Sequence, residues 1–283
     1  MAESTWEIRS MTRKEMDWAV DLAAAEGWNP GLEDAGAFFA TDPEGFLVGL
    51  LEGEPVGCLS AVSYGASFGF LGFYIVLPPF RSKGYGVQLW ERGMGRLAGR
   101  VVGLDAVVAQ QDNYRKSGFS YAHPQYRFEG VTGGAEAPGP DVCPLSSVPF
   151  EALCRYDGTF FPANRRAFLA HWTHMPHSVG KALWEGGALR GYGVLRECRR
   201  GYKVGPLFAD TPSGAETLLD QLVGSVPPGR PFFLDVPEPN GAALALVRRR
   251  GMEMVFETGR MYVGKAPVVH QEGIFGVTSF ELG

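Results

Sequence analysis

The sequence predicts an α+β protein: two units in tandem, each a mixed sheet flanked by helices. Three observations carry this prediction. A hairpin pattern occurs twice: residues 46–64 (FLVGLLEGEPVGCLSAVSY) break at Glu52-Gly53-Glu54-Pro55, and residues 181–195 (KALWEGGALRGYGVL) break at Glu185-Gly186-Gly187. Gly and Pro supply the backbone angles that such tight turns need. Each hairpin leads to a helix closed by glycine and a large apolar residue. From Gly57 to Gly118-Phe119 is 61 residues, and from Gly191 to Gly251-Met252 it is 60. Between the halves, Val131–Asp141 holds three glycines and two prolines without periodicity, which reads as a linker. The expected boundaries are 1–130, a linker at 131–142, and 143–283.

Within the first unit the elements follow in order. Thr12 and Glu15 fit a capping box, in which the Thr oxygen and the Glu carboxylate satisfy first-turn amides. Met16, Val20, Ala23 and Ala24 then recur at helical spacing until Trp28-Asn29-Pro30-Gly31 stops the helix. A short helix is expected over residues 33–40. After the hairpin comes a strand at 68–76, ended by Pro78-Pro79, which remove two amide donors. A helix over 86–98, a strand over 104–110 and a helical turn over 112–117 complete the unit.

Composition narrows the function classes. Of 283 residues 45% are apolar, ordinary for a globular protein, and 39 are glycine, about twice the usual share. With 26 basic against 31 acidic residues the net charge is −5, which argues against a nucleic-acid or membrane-surface binder. No apolar stretch reaches the roughly 18 residues of a membrane span, and the acidic N-terminus is unlike a signal peptide. Cys58, Cys143, Cys154 and Cys198 form no C-x-x-C pair. A cytoplasmic protein with reduced thiols is expected. His171, His174 and His177 have an H-x-x-H-x-x-H spacing, but Pro176 interrupts it and no carboxylate or thiol is interleaved, so no metal is expected.

The chemistry concentrates at Arg81-Ser82-Lys83-Gly84-Tyr85-Gly86, directly after a strand and before a helix. Such a loop collects backbone N–H groups and the positive end of the helix dipole at one spot. Gly84 and Gly86 let an anion approach the main chain, and Arg81 and Lys83 add charge. A phosphate or pyrophosphate site follows. It is neither a Rossmann fingerprint, since Val87-Gln88-Leu89 lacks the third glycine, nor a Walker A loop, which needs G-K-[ST].

With Val76-Leu77-Pro78 before that loop and Tyr114-Arg115-Lys116-Ser117-Gly118-Phe119 after the next strand, the chain resembles the GNAT superfamily of acyl-CoA-dependent N-acyltransferases over residues 7–128. The whole chain is similar to a bacterial subgroup with a second, divergent GNAT-like domain. The resemblance implies an acetyl-CoA donor, its pantetheine paired to the backbone of Tyr74, Ile75 and Val76, its pyrophosphate held from Arg81 to Val87, and Asn113 on the pantetheine arm. It implies an oxyanion at the amides around Val76 and a proton from Tyr114 to the departing thiolate. Asp112-Asn113 stands immediately before Tyr114, where the family has a longer helix.

The expected reaction is direct transfer to a primary amine, on a small molecule or a protein lysine, by a monomer or homodimer. Cys58 on the hairpin is misplaced for a ping-pong nucleophile. The acceptor pocket should draw on Trp28, Asn29, Phe38, Phe39, Phe70, Gly72 and Tyr74, with the phenylalanines mainly core. Water relayed through backbone carbonyls is the expected base, and Glu281 or the terminal carboxylate is expected not to serve. The alternatives are a CoA-binding scaffold without catalysis and a transferase for another acyl-CoA.

The second half should lack this chemistry. Its equivalent loop, Gly205–Gly214, has no base and carries Asp210, whose charge repels a phosphate. Val247 stands at the tyrosine position. The alternating residues 274–282 should complete the second sheet as a strand.

Overall fold

The computed structural model describes residues 5–133 and 141–283, so most of the predicted linker lies outside the described residues. The first half runs β1 (Trp6–Ser10), α1 (Arg13–Ala25), α2 (Asp34–Thr41), β2 (Phe46–Leu51), β3 (Glu54–Tyr64), β4 (Phe68–Val76), α3 (Tyr85–Arg96), β5 (Val101–Val107), α4 (Gln111–Lys116) and β6 (Ser120–Val131). The second runs β7 (Val142–Pro144), α5 (Phe150–Asp157), α6 (Arg166–Trp172), β8 (Ser178–Glu185), β9 (Ala188–Glu197), β10 (Tyr202–Ala209), α7 (Pro212–Val223), β11 (Pro231–Pro237), α8 (Gly241–Arg249), β12 (Glu253–Val263) and β13 (Ile274–Gly276).

Local chemistry explains the elements. Thr12 caps α1 as expected, its hydroxyl accepting from the Glu15 amide while Glu15 accepts from the Thr12 amide. Both predicted hairpins form. Their turns hold Glu52-Gly53 and Gly186-Gly187 at positive φ, the geometry that matches strand twist. The strand expected at 104–110 instead spans 101–107. Residues 108–110 coil into a single 3₁₀ turn before α4.

The two halves share one sheet, in the order β1-β2-β3-β4-β5-β12-β6-β11-β10-β9-β8-β7, with β13 added on β10. Each half therefore gives its last long strand to the other: β12 pairs with β5, and β6 pairs with β11. Two buried ion pairs fix this exchange at directly opposed residues. Arg260 grips Asp105 through two bonds of 2.7 and 2.8 Å, and Arg127 grips Asp235 through two of 2.6 and 2.8 Å. One face of the sheet is covered by α1, α2, α5 and α6 over a core common to both halves, where Phe38 stacks on Trp172 at 5.7 Å. The other face carries α3 on the first half and α7 and α8 on the second.

The expected C-terminal strand is short. Only Ile274–Gly276 pair with β10, and residues 277–283 cross to the first half. There the Tyr64 hydroxyl donates to the Leu282 carbonyl at 3.0 Å, and Gly283 packs on Phe70. The alternation at 274–282 reflects burial on both sides of an irregular segment rather than a ladder: all nine residues are buried.

Candidate active site

The site begins as a gap in the sheet. β4 and β5 run parallel and pair from Phe68↔Val101 to Leu71↔Leu104, then part, while β4 continues to Val76 and β5 to Val107. A bulge marks the parting point. Gly72 opposes Ser60 and Ile75 opposes Cys58, so β4 carries an extra residue, and Phe73 sits at φ 47°. A bulge re-aims backbone at a sheet edge and is a common device beside sites. The Cys58 thiol donates to the Phe73 carbonyl at 3.1 Å, and burial pushes that thiol up to about 12. The Gly72–Val76 backbone thus borders a cleft on its β5 side.

That cleft widens into a cavity of about 600 Å³. Along one wall run Gly72, Phe73, Tyr74, Ile75 and Val76 of β4; above them lie Arg81, Ser82, Gly84, Gly86 and Val87; opposite stand Leu104, Asp105 and Val107 of β5. Gly84 caps α3 at φ 88°, a conformation glycine adopts without strain, with open space around it. Gly86, also on the cavity lining, has a packing role as well. A β-carbon there would stand 2.8 Å from the Tyr74 hydroxyl, so its absence lets α3 close on β4.

The other predicted residues divide. Tyr114 reaches the cavity although α4 has only six residues, because Trp90 packs between it and Tyr74, with ring centroids 5.4 and 5.7 Å away. Burial raises its phenol above the ordinary value, so it stays protonated at neutral pH. Arg81 lines the mouth, but its guanidinium donates to the Val76 carbonyl at 2.8 Å and pairs with Glu26 at 2.7 Å. Lys83 lies 5.7 Å over the Phe80 ring and Tyr85 packs on Trp6 at 4.6 Å; neither lines the cavity. Asn113 donates to Gln110 at 2.8 Å, and it is Gln110 that lines the wall. Of the acceptor-pocket residues, Trp28, Gly72 and Tyr74 line the cavity, Phe38 and Phe70 are core, and Asn29 bonds the backbone of Arg200.

Four lining residues come from the second half: Phe256 and Thr258 on β12, and Phe280 and Glu281 on the C-terminal segment. Motif spacing does not single them out: the strand exchange brings Phe256 and Thr258 here, and the C-terminal crossing brings Phe280 and Glu281.

The corresponding gap in the second half is closed. β10 and β11 pair from Tyr202↔Phe232 to Val204↔Leu234, and then β13 enters: it pairs with Leu207 and Phe208, while the Val277 amide bonds the Asp235 carbonyl of β11 at 2.8 Å. Residues 77–84 separate β4 from α3, but only Asp210 and Thr211 separate β10 from α7. Thr211 caps α7 itself, accepting from the Gly214 amide, and Asp210 lies 3.6 Å from Arg190. Val247 is fully buried.

Among the described residues no three metal-ligating side chains cluster, and no helix is long and apolar enough to cross a membrane.

Known proteins share this architecture. Residues 7–119 match the acetyltransferase (GNAT) family, and residues 153–276 match an acetyltransferase (GNAT) domain. The holothin acyltransferase of Pseudoalteromonas sp. (strain SANK 73390) is 30% identical over 280 residues, 99% of this chain and 95% of that one. A crystal structure from Pyrococcus horikoshii superposes with a TM-score of 0.83 at 21% identity, covering 100% of this chain and 98% of its own. The tandem GNAT protein of the clavulanic acid biosynthesis pathway gives 0.62 at 15% identity, covering 93% and 100%. The parted strands, the glycine-capped loop and the duplicated fold agree with these matches: the chain belongs to the GNAT superfamily of acyl-CoA-dependent N-acyltransferases, with two GNAT domains in tandem.

Proposed function

We propose that the chain transfers an acetyl group from acetyl-CoA to a primary amine at the cavity of the first half, and that the second half takes no CoA. The parting of β4 and β5 beneath a glycine-capped loop is the observation that carries this reading. A pantetheine arm fits the cleft beside Gly72–Val76, whose backbone can pair with it as a further strand does. The amides of the loop before α3, with Ser82 and Gly84 at positive φ, suit a pyrophosphate at the helix N-terminus. Bound acetyl-CoA would supply an acyl group activated as a thioester.

The chain's own groups then divide the work. Amides of β4 near Val76 stabilise negative charge on the acyl oxygen, as donors fixed before the reaction do. Tyr114, protonated and held by Trp90, gives a proton to the leaving sulfur. Arg81, now bridging Val76 and Glu26 at the mouth, is placed to turn onto a phosphate. In the second half β13 occupies the space that an arm would need.

The test is calorimetry followed by turnover. Acetyl-CoA should bind once per chain, and Gly84→Val, which strains the loop, should weaken binding at least tenfold. Tyr114→Phe should lower kcat by roughly 10²-fold with little change in acetyl-CoA affinity. Two CoA sites per chain would overturn the assignment of the second half; equal loss of binding and turnover in Tyr114→Phe would overturn the acid. Holothin, the acceptor in the name of the Pseudoalteromonas relative, belongs in the first acceptor panel together with simple primary amines.

A further inference from the structure

Attack on a thioester requires a neutral amine, so a group in the cavity must take a proton from the acceptor's ammonium. Glu281 is 2% exposed and lines the cavity, yet neither oxygen of its carboxylate has a hydrogen-bond partner among the described residues. A buried carboxylate without donors is costly. Two buried cations, Arg127 and Lys203, balance its charge at a distance, but the hydrogen bonds they make go elsewhere. Arg127 spends two bonds on Asp235 and one on the Trp28 carbonyl, and Lys203 donates to that same carbonyl at 3.2 Å. Two more buried oxygens lack partners close by: Thr258 Oγ1 on the cavity wall, and Ser60 Oγ beside Gly72. This end of the cavity therefore holds a carboxylate and two hydroxyls with unused acceptor capacity, and an ammonium brings three donors. Phe256, Phe280 and Trp28 add aromatic surface that suits the apolar body of an amine, although the Arg127 guanidinium already lies 4.9 Å over the Phe280 ring.

The position of Glu281 is fixed from both sides. β13 anchors the start of the segment, the Arg165 guanidinium holds the Thr278 hydroxyl at 2.9 Å, and Tyr64 holds the Leu282 carbonyl. The same segment that fills the gap of the second half therefore delivers a carboxylate into the cleft of the first.

We propose that Glu281 is the general base of the acetyl transfer and that the acceptor enters as a primary ammonium on a compact apolar body; this rests on the acetyl transfer proposed above. The ammonium surrenders one proton to the Glu281 carboxylate, which passes it to water. The freed lone pair forms the C–N bond as the C–S bond breaks, and the thiolate takes a proton from Tyr114. The nitrogen's second proton, released on amide formation, restores the tyrosine through water, so the net products are amide, thiol and one proton.

The experiment uses the full chain with acetyl-CoA and four probes: benzylamine, hexylamine, spermidine and p-anisidine, of which only the last is a weak base already neutral at pH 7. Glu281→Gln should lower kcat/KM for the basic amines by roughly 10²–10⁴-fold with acetyl-CoA affinity unchanged, and should lower it much less for p-anisidine. Glu281→Asp, which keeps the charge, should recover part of the loss and serves as the deciding variant if the glutamine protein melts below the assay temperature. Unchanged turnover of basic amines in Glu281→Gln overturns Glu281 as base, as does, in either variant, a loss as large for p-anisidine as for the basic amines. If the wild type binds acetyl-CoA but acylates none of the four, the transfer reading itself fails in the form the inference needs.

Discussion

A β-carbon on Gly72 would overlap the backbone carbonyl oxygen of Glu281. The strand that borders the cleft and the segment from the far end of the chain touch here without room for a methyl group. Gly72→Ala must push the C-terminal segment away or distort β4. Overpacking of this kind costs about 1–3 kcal/mol, and activity should fall further than stability because Glu281 moves with the displaced backbone. Gly95→Ala is the control. That glycine lies within α3 with open space around it, and alanine there should stabilise by up to about 1 kcal/mol. Melting curves and turnover read both; equal behaviour of the two variants would mean that the contact is not tight.

The exchanged strands hang on two buried ion pairs, Arg127–Asp235 and Arg260–Asp105, each joining one half to the other. Removing one partner leaves an uncompensated buried charge, at a cost of roughly 3–5 kcal/mol. Asp235→Asn should therefore shift a urea midpoint strongly. Replacing both members at once, with Arg127→Met and Asp235→Leu, should recover most of that loss, since matched apolar residues of similar size often do as well as a buried pair. A double variant as weak as the single one would show that the pair specifies the strand pairing and is not merely tolerated.

Much of this was legible in the sequence, and the parts that were not share a cause. The capping box at Thr12 and Glu15, the two Gly-containing turns and the 68–76 strand depend on neighbours a few residues apart, so local pattern sufficed. Gly84 was legible for the same reason. The strand exchange was not. Arg127 and Asp235 are 108 residues apart, Arg260 and Asp105 are 155 apart, and each side chain alone reads as an ordinary surface charge. Asn113, Lys83 and Tyr85 match the family motif in sequence but lie off the cavity wall, because motif spacing fixes the backbone and not the direction of each side chain. Glu281 illustrates the opposite failure: by sequence it is a candidate base expected not to serve, and its burial on the cavity wall without a hydrogen-bond partner is what argues for it.

The N-terminal cap gives a pH signature. The bond to Arg9 first, with those to Thr12, holds the Glu15 carboxyl at about 2, below its ordinary 4.5. A lowered folded value means that the stabilisation is complete above about pH 4.5 and is lost as pH falls toward 2. Arg9 is partly exposed, and screening reduces the contribution to about 0.5–1 kcal/mol. Glu15→Gln preserves the shape of the capping box. Its urea midpoint should lie below wild type at pH 7, and the gap should shrink steadily below pH 4. A gap independent of pH would assign the loss to packing and not to the charge.

Cys58 decides between direct transfer and a covalent relay. It lies under the bulge of β4, behind the cavity wall rather than on it, and a reactive thiolate that reached the cleft would allow an acyl-enzyme. Its environment opposes this. The thiol is fully buried, burial pushes it up to about 12, and its proton is engaged by the Phe73 carbonyl. The nucleophile is the thiolate, and almost none exists at neutral pH under those conditions. Iodoacetamide at pH 8 should therefore spare Cys58 in the folded chain while modifying Cys143 and Cys154, which are only partly buried. Incubation with acetyl-CoA alone, followed by acid quench and intact-mass measurement, should show no added acetyl group. Cys58→Ala, which leaves one small void and frees a carbonyl, should keep turnover within a fewfold of wild type. An acetylated Cys58 peptide, or loss of turnover in that variant with the fold intact, would replace direct attack by a two-step route and would move the base's task from the amine to the thiol.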